Sequence, residues 1–466
     1  MADTPLHLQA RDHARAHGQE HLLRFWDELD PAGKDALAAQ ILSVDFPRLA
    51  ALHRDLVKEN SATAAAEAAV ISPLKAMDWD AFPIQERAAY ANMGMRALRE
   101  GKVAAFLVAG GQGTRLGHSG PKGVFDIGLP SRKSLFQLQA ERILRLSRQA
   151  GKTIPWYIMT SEENHAETTA FFRERRWFGL PERDLFFFKQ GEMPVVDDAG
   201  RVLLAAKGRL SLGPNGNGGC FLALAESGAL EDMKRRGVEH VFFYGVDNAL
   251  VRVCDPHFIG FALAEGHPAA SKAVLKAYPE EKVGVLCLRD GRPSVLEYSE
   301  MTEAMIQARG DDGRYLYDSA NIVTHLFARG FLERNAAAAL PYHVAHKKIA
   351  YVDPSGSTVV PEKPNAWKFE LFMFDLFPLA GSMSGLLVKR EEEFAPVKNK
   401  DGADSPASAR ALVLDLHRKW ALAAGMTEDE LRAKIVEISP LASYAGEGVN
   451  PAIIRSQLGN PIIHVS

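Results

Sequence analysis

The chain has 466 residues, of which 47% are hydrophobic, and its formal net charge is −3 at neutral pH. This length predicts about three structural units, and the near-neutral charge argues against a nucleic-acid or membrane partner. Three cysteines are too few for a disulfide-built protein, and no run approaches the roughly 20 apolar residues of a membrane helix. The sequence shows no apolar leader, which argues against a secreted protein, so we expect a cytoplasmic one.

The first region, residues 1–98, is predicted to be helical. Apolar residues recur between Leu22 and Leu29 at the spacing of an amphipathic helix. Asp30 followed by Pro31 predicts an N-cap and the first turn of a further helix.

The second region, residues 99–385, alternates strand and helix patterns. Strands are predicted at Val103–Val108, Pro155–Met159, Leu185–Phe188 and Val241–Val246, and helices at Phe136–Ala150 and Phe221–Lys234. This alternation predicts an α/β fold with a doubly wound, mostly parallel sheet and helices on both faces. Residues 386–466 are predicted to form a short C-terminal region with a charged loop and a helix near Ser408–Ala424.

A glycine-rich turn follows the first predicted strand in the sequence LVAGGQGTRLGHSGPKG, Leu107–Gly123. Glycine permits positive φ and a close approach of the backbone to a ligand. Arg115 and Lys122 add positive charge where a pyrophosphate would sit. The dinucleotide fingerprint would need a glycine at Leu116, and the P-loop would need Gly117 directly before its lysine. The remaining pattern, GGxGxRxG, predicts a site for a nucleoside triphosphate.

Asp247 and Gln190 follow predicted strands, where doubly wound sheets bind their ligands, and a third segment, rich in glycine, precedes a predicted helix. Asp247 follows the strand Val241–Val246 and offers a carboxylate for Mg²⁺ or for the nucleotide, with a turn cap as the structural alternative. Gln190 offers an amide that matches the O4 and N3–H edge of uracil. The sequence PNGNGG, Pro214–Gly219, brings backbone near a ligand, although an ordinary Asn-Gly turn has the same composition.

The glycine-rich turn and the sequence GLPSRKSLFQ that follows it resemble the UDP-N-acetylhexosamine pyrophosphorylases. Resembling segments occur in order from about residue 18 to about residue 448. They include GQEHLLRFWDEL, IPWYIMTS, KQGEMP, PNGNGG, VDNALVRVCDP, EYSEM, SANIVTHLF, KPNAWKFELFMFD, EEFAPVKNKDG and SPLASYAGEG. The resemblance implies a Rossmann-like nucleotidyltransferase domain in residues 99–385 and the transfer of UMP from UTP to N-acetylglucosamine 1-phosphate.

The resemblance also implies a role for each site residue. UTP is assigned to Val108, Ala109, Gly110, Gly111, Gly113, Lys122, Gln190, Gly216, Asp247 and Lys368. The sugar phosphate is assigned to Asn217, Glu297, Tyr298, Asn321 and Lys398. The catalytic cations are Arg115, Lys122, Lys368 and Lys398, and Asp247 is the metal residue for Mg²⁺, with Mn²⁺ as a substitute.

Two other functions stay open at this stage. A related enzyme could prefer glucose 1-phosphate or accept many sugars, although the GNGG sequence favours N-acetylhexosamines over the glucose enzymes, which typically show histidine in that loop. A catalytically silent UDP-sugar sensor would lose the phosphate-binding cations, which are all present here. His343 and His346 are interpreted as packing or surface residues because no third metal ligand lies nearby. The expected assembly is a monomer or a weak homodimer.

Overall fold

The structure is a computed structural model that describes residues 4–57, 69–311 and 313–466. The α-helices of these residues are α1 Pro5–Ala16, α2 Pro31–Ser43, α3 Phe46–Leu52, α4 Ile84–Glu100, α5 Leu135–Ala150, α6 His165–Glu174, α7 Cys220–Glu226, α8 Ala229–Arg235, α9 Pro256–Glu265, α10 Glu303–Gln307, α11 Arg329–Asn335, α12 Arg390–Glu393, α13 Pro406–Ala423 and α14 Pro451–Arg455.

The strands are β1 Ile71–Pro73, β2 Met77–Asp78, β3 Val103–Val108, β4 Trp156–Thr160, β5 Leu185–Lys189, β6 Glu192–Pro194, β7 Leu204–Ala206, β8 Arg209–Leu210, β9 Leu212–Pro214, β10 His240–Gly245, β11 Ala269–Leu275, β12 Val285–Arg289, β13 Arg292–Leu296, β14 Ser319–Ala328, β15 Tyr342–Lys347, β16 Tyr351–Val352, β17 Thr358–Val359, β18 Ala366–Leu371, β19 Met383–Leu387, β20 Ile435–Ile438 and β21 Ile462–Val465. Among the described residues, no helix is both long and apolar enough to cross a membrane.

Contacts divide the chain into two units, each assembled from separate segments. The smaller unit consists of Met1–Ala69, Gln190–Cys220 and Ala339–Asp375, and the larger unit consists of Val70–Lys189, Phe221–Ala338 and Leu376–Ser466. Neither unit coincides with one of the three consecutive regions proposed from the sequence, and that division stays a prediction.

The larger unit is built on an 11-stranded sheet whose main path runs β2-β19-β11-β14-β10-β3-β4-β5. Strand β3 pairs in parallel with β10 and β4, and β11 pairs in parallel with β19. Strand β14 is antiparallel to both β10 and β11. The predicted doubly wound, mostly parallel α/β sheet is therefore confirmed.

Side chains that alternate along the central strands pack against helices on both faces of this sheet. On one face, Leu107 and Tyr244 belong to the same buried apolar cluster as Phe136 of α5. On the other face, Phe221 of α7 stacks on Phe243 at 6.1 Å between ring centroids. Because β3 is apolar on both faces, its carboxyl end is fixed firmly where the glycine-rich turn begins.

The smaller unit has its own apolar core. Helices α1, α2 and α3 contribute buried residues to one cluster with β18 and the short strands that follow residue 190. Strand β15 pairs antiparallel with β18, and β6 pairs antiparallel with β9. Asp30 caps α2 by accepting a hydrogen bond from the Gly33 amide, and Pro31 occupies the first turn, as predicted.

Several local predictions differ from the structure. Residues 1–98 are largely helical, but they contain β1 and β2, and part of the region, residues 1–3 and 58–68, lies outside the described residues. The segment from Leu22 to Leu29 forms short 3-10 turns. The single helix predicted at Phe221–Lys234 is wrong, because Gly228 adopts φ of 77° and separates α7 from α8. The C-terminal region contains the unpredicted parallel pair of β20 and β21.

Candidate functional site

The glycine-rich turn of the larger unit closes on itself. The Gly113 amide donates to the Gly120 carbonyl at 2.8 Å, and the Lys122 amide donates to the Gly111 carbonyl at 3.1 Å. Leu116 is buried in an apolar cluster, whereas the neighbouring Arg115 is exposed. The turn therefore holds its apolar residue inward and presents its arginine to solvent.

Lys122 lies near the end of the same turn, directly before Gly123, which packs against helix α5. A Cβ atom at Gly123 would lie 2.1 Å from the Phe136 ring, so only glycine lets the chain pass this close to the ring. Among the described residues, neither Lys122 nor Arg115 forms an ion pair with a carboxylate. Two cations that lack counter-ions in this part of the chain are suited to bind an anionic ligand.

The first residues of the turn are held by the sheet and by a residue that the sequence did not single out. The Ala109 amide donates to the Met159 carbonyl at 2.8 Å, and the buried Asn164 side chain donates to the Ala109 carbonyl at 3.0 Å. Both backbone groups of Ala109 are thus engaged, which leaves van der Waals contact for its predicted role at UTP. The Val108 carbonyl accepts from the Val246 amide at 3.2 Å, whereas Gly111 is exposed.

Asp247 lies directly beyond the carboxyl end of β10, beside the segment that leads to Lys398. The Asp247 carbonyl accepts a hydrogen bond from the Val397 amide at 2.9 Å. Its half-buried carboxylate makes no hydrogen bond or ion pair with the residues that the structure describes. The structure therefore brings together Asp247 and Lys398, two residues that sequence reasoning assigned to the metal and to the sugar phosphate.

A buried ion network supports this junction from behind. Asn248 donates to the Glu393 carbonyl at 2.7 Å and accepts from the Ala395 amide at 2.9 Å. The fully buried Lys272 ammonium contacts the carboxylates of Glu393 and Asp255, at 2.6 Å in the case of Asp255. Burial alone would raise the pKa of Asp255, but the charge of Lys272 holds this pKa well below its usual range. The segment before Lys398 is consequently anchored in the core of the larger unit.

The Lys398 side chain emerges from a tight loop. The Lys398 and Asn399 amides both donate to the Asp404 carbonyl, at 2.6 Å and 3.0 Å. The Lys398 ammonium lies 3.8 Å from the Asp404 carboxylate and 5.6 Å from the centre of the Phe394 ring. At 42% side-chain exposure, this weak pair leaves the ammonium accessible to a phosphate.

In the larger unit, Gly284 lies between two of the residues predicted to bind the sugar, Asn321 and Glu297. The Asn321 amide donates to the Gly284 carbonyl at 2.8 Å, and a Cβ atom at Gly284 would lie 2.8 Å from a Glu297 carboxylate oxygen. The Asn321 side chain accepts from the Val323 amide at 2.9 Å, which stabilises the unusual φ of 54° at Val323. Its amino group has no acceptor among the described residues and is available as a donor. Tyr298, which is also predicted to bind the sugar phosphate, is 48% exposed.

In the smaller unit, the sequence PNGNGG is far more constrained than an ordinary turn. Gly216 adopts φ of 84°, and a Cβ atom there would lie 2.3 Å from the Leu371 carbonyl oxygen. The Asn217 side chain accepts from the Met373 amide at 2.9 Å. The Asn217 side-chain oxygen is therefore engaged with backbone, while its amino group makes no hydrogen bond to the residues that the structure describes.

Asn215, which sequence reasoning did not select, joins the segments around it. Its amide donates to the Gly191 carbonyl at 3.1 Å, and its carbonyl accepts from the Leu371 amide at 2.8 Å. Its buried side-chain oxygen has no hydrogen-bond partner in the described chain. Gln190, directly before Gly191, is 8% exposed.

Lys368 lies on β18 of the same unit. Its ammonium would be 3.1 Å from a Cβ atom at Gly213, so the lysine crosses directly over a glycine of β9. The structure thus brings Lys368 to the strand that leads into the sequence PNGNGG. Lys368 is half-buried and has no carboxylate partner among the described residues.

No group of three or more His, Cys, Asp and Glu side chains placed to hold a metal ion occurs in the part of the chain that the structure describes. His343 pairs with Asp375 at 2.8 Å and stacks on Phe372, whereas His346 stacks on Trp367. These contacts agree with the prediction of packing and surface roles. The cysteines are free and buried.

Comparisons with known proteins agree over nearly the whole chain. Residues 49–441 match the family described as UTP–glucose-1-phosphate uridylyltransferase. The chain is 43% identical to the human UDP-N-acetylhexosamine pyrophosphorylase-like protein 1, over 96% of this chain and 94% of the human protein. It is 42% identical to UDP-N-acetylglucosamine diphosphorylase 2 of Arabidopsis thaliana, over 97% of this chain and 92% of the plant protein.

A similar solved structure is that of the uridine diphosphate N-acetylglucosamine pyrophosphorylase from Trypanosoma brucei in complex with an inhibitor. It covers 100% of this chain and 99% of its own, with a TM-score of 0.85 and 29% sequence identity. The similarity therefore extends from the arrangement of the sheet to both ends of the chain.

Proposed function

The chain belongs to the UTP–glucose-1-phosphate uridylyltransferase family, and we propose that it makes UDP-N-acetylglucosamine and pyrophosphate from UTP and N-acetylglucosamine 1-phosphate. The observation that carries this proposal is the self-closed glycine-rich turn with Arg115 and Lys122, two cations without carboxylate partners among the described residues. This turn follows the central parallel strand, where sheets of this class bind nucleotides.

The sugar phosphate is itself the nucleophile. A phosphate monoester is largely deprotonated at neutral pH, so one of its oxygens attacks the α-phosphorus of UTP without a strong general base. Pyrophosphate leaves on the opposite side, and the configuration at phosphorus inverts. The protein contributes alignment of the two reactants and neutralisation of the charge that moves onto the leaving group.

Cations divide this work between the two substrates. Arg115 and Lys122 neutralise the β- and γ-phosphates and then the leaving pyrophosphate, because they lie on the turn built for phosphate oxygens. Lys368 is assigned to the UTP phosphates, and Lys398 to the sugar phosphate. Gly110, Gly111 and Gly113 let the backbone approach the nucleotide.

Recognition of the two organic parts rests on amides and on one acid. Gln190 and Gly216 are assigned to the uridine, and Asn217, Asn321, Glu297 and Tyr298 to the sugar. The amino groups of Asn217 and Asn321 make no hydrogen bond within the described residues and support this division, since each side-chain oxygen already accepts a backbone hydrogen bond. An amino group can donate to the oxygens of a hexose or to its acetamido carbonyl.

Asp247 is suited to hold a divalent cation, Mg²⁺ by preference and Mn²⁺ as a substitute. A single carboxylate without a partner among the described residues fits Mg²⁺, which keeps several waters and takes its other ligands from phosphate oxygens. When bound, the metal supplies positive charge to the α-phosphate. Asp247 would hold the metal, and Lys398, which follows the Val397 that binds the Asp247 backbone, would bind the attacking phosphate.

The alternative of a UDP-glucose or broad-specificity enzyme is less well supported, because the relatives at 42–43% identity carry N-acetylhexosamine or N-acetylglucosamine in their names. A silent UDP-sugar sensor would not need four cations. The proposal includes a monomer or weak homodimer that works in the cytoplasm, because no step of the reaction requires a second chain or a membrane.

The proposal is tested by following both products. UTP, Mg²⁺ and N-acetylglucosamine 1-phosphate should yield pyrophosphate and UDP-N-acetylglucosamine in equal amounts, and added pyrophosphate should reverse the reaction. Pyrophosphate without a nucleotide sugar would indicate simple UTP hydrolysis. No turnover with any sugar 1-phosphate would leave the sensor as the better explanation.

A further inference from the structure

The loop that carries Lys398 brings a second lysine, Lys400, against the glycine-rich turn. The Cδ and Cε atoms of Lys400 each lie 3.8 Å from the position of a Cβ atom at Gly117. This is van der Waals distance, so the aliphatic part of Lys400 rests over Gly117, two residues after Arg115. A glycine is required at this position because its φ is 74°.

The two acids of this loop, Asp401 and Asp404, form no ion pair with Lys400 among the described residues. Asp404, whose carbonyl closes the loop, has its carboxylate 3.8 Å from the Lys398 ammonium. The Asn399 side chain donates to the Ala403 carbonyl at 2.9 Å and shapes the same turn. Within the described ranges, Lys400 forms no ion pair with a carboxylate, and it is exposed.

We propose that Lys400 is a further phosphate-binding residue of this reaction, which binds the β- and γ-phosphates of UTP and the pyrophosphate they become. This inference rests on the proposed function of the glycine-rich turn. The lysine stem lies along Gly117, and a flexible ammonium at its end can follow the pyrophosphate as it leaves. Lys398 and Lys400 would then serve the attacking and the leaving phosphates from one short loop.

A charge on the leaving side has a distinctive kinetic consequence. Its removal should raise the KM for UTP in the forward direction and the KM for pyrophosphate in the reverse direction, because the same two phosphates are bound in both directions. It should have little effect on the sugar 1-phosphate. Because Lys400 is exposed, its contribution should also shrink at high ionic strength.

The test compares Lys400→Met with Lys400→Arg. Lys400→Met should weaken UTP binding measured by calorimetry and raise the KM for UTP and for pyrophosphate, each by about 3- to 10-fold. This loss lies between that expected for an exposed ion pair and that expected for a hydrogen bond to a charged group. The KM for N-acetylglucosamine 1-phosphate should change less than about twofold. Lys400→Arg should recover most of the loss. The matched control is Lys419→Met, which removes an exposed lysine of α13.

Two results would overturn the inference. One is UTP binding by Lys400→Met that equals wild-type binding or that of the Lys419→Met control. The other is a rise confined to the KM for the sugar phosphate. Failure of the proposed function looks different, since the wild-type protein would then transfer no uridylyl group, while calorimetry with UTP would still show whether Lys400 contacts the nucleotide.

Discussion

The backbone amide of Val397 donates a hydrogen bond of 2.9 Å to the carbonyl oxygen of Asp247. This bond joins the end of the central strand β10 to the segment that carries Lys398. It occupies the Asp247 backbone and leaves the carboxylate free of partners among the described residues. In the proposed mechanism Asp247 holds the metal and Lys398 binds the sugar phosphate. A backbone hydrogen bond keeps these two residues close, and substitution of their side chains does not remove it.

Asp247→Asn should weaken the response to Mg²⁺ more than it weakens folding. The substitution keeps the size of the side chain and removes the charge that Mg²⁺ prefers. A Mg²⁺ titration of turnover should shift to higher concentration, while the melting temperature should stay close to that of Asp415→Asn, an exposed control on α13. An unchanged titration with normal turnover would remove Asp247 from the metal site.

Arg115→Ala and Lys122→Ala should chiefly slow turnover. Each substitution removes charge from phosphates whose negative charge redistributes in the transition state, and loss of one such group costs on the order of 10²- to 10³-fold. The measurement is the steady-state rate at saturating UTP. Exposed residues of the same type, Arg173 on α6 and Lys234 on α8, provide matched alanine controls. Rates within about twofold of wild type in both variants would refute the phosphate role.

The parts of the fold that could be predicted are those with strong local patterns. Strand β3 has six consecutive apolar residues, and two glycines follow it after Ala109, so the local sequence predicts both the strand and the turn. Strands β1 and β2 have three and two residues, and their pairing with β12 and β19 specifies them. No window of sequence around them contains that information.

Some residues that position the site have no local sequence pattern to predict them. Asn164 secures the glycine-rich turn from the start of α6, and Gly284 lies between Asn321 and Glu297. A lone asparagine or glycine has no spacing that distinguishes it from many others. Likewise, contact between Lys400 and Gly117 depends on how two distant loops pack, which spacing along the chain does not encode.

Asn217→Ala should impair use of the sugar and spare the nucleotide. Loss of one hydrogen bond to an uncharged partner costs about 0.5–1.5 kcal/mol, which corresponds to roughly 2- to 13-fold in kcat/KM for N-acetylglucosamine 1-phosphate. UTP binding by calorimetry should be nearly unchanged. The melting temperature should fall slightly, because the Met373 amide loses its acceptor. Asn460→Ala, at an exposed position, is the control. A collapse of UTP affinity would assign the GNGG sequence to the nucleotide.

Stability should fall as the pH drops below about 6.5, the ordinary pKa of histidine. Burial lowers the pKa of His325 to about 3 and that of His417 to about 3. Between these values the unfolded chain binds protons that the folded chain does not, so acid favours unfolding. Each histidine should contribute about 1.4 kcal/mol per pH unit within that window.

Urea unfolding at several pH values between 4.5 and 7.5 measures this slope. His325→Phe should reduce the pH dependence of the unfolding free energy by about one proton, because the substitution removes the titratable group. The phenyl ring should still pack against Phe327 and Phe377. Identical slopes for wild type and His325→Phe would show that His325 is protonated in the folded protein.

The most direct test of the central claim is a competition for UTP among N-acetylglucosamine, N-acetylgalactosamine and glucose 1-phosphates at equal concentrations with Mg²⁺. Chromatography of the nucleotide sugars gives the ratio of kcat/KM values in one experiment. The proposed function predicts that UDP-N-acetylglucosamine is the main product and that pyrophosphate equals the sum of all nucleotide sugars. A mixture dominated by UDP-glucose, or pyrophosphate without any nucleotide sugar, would contradict it.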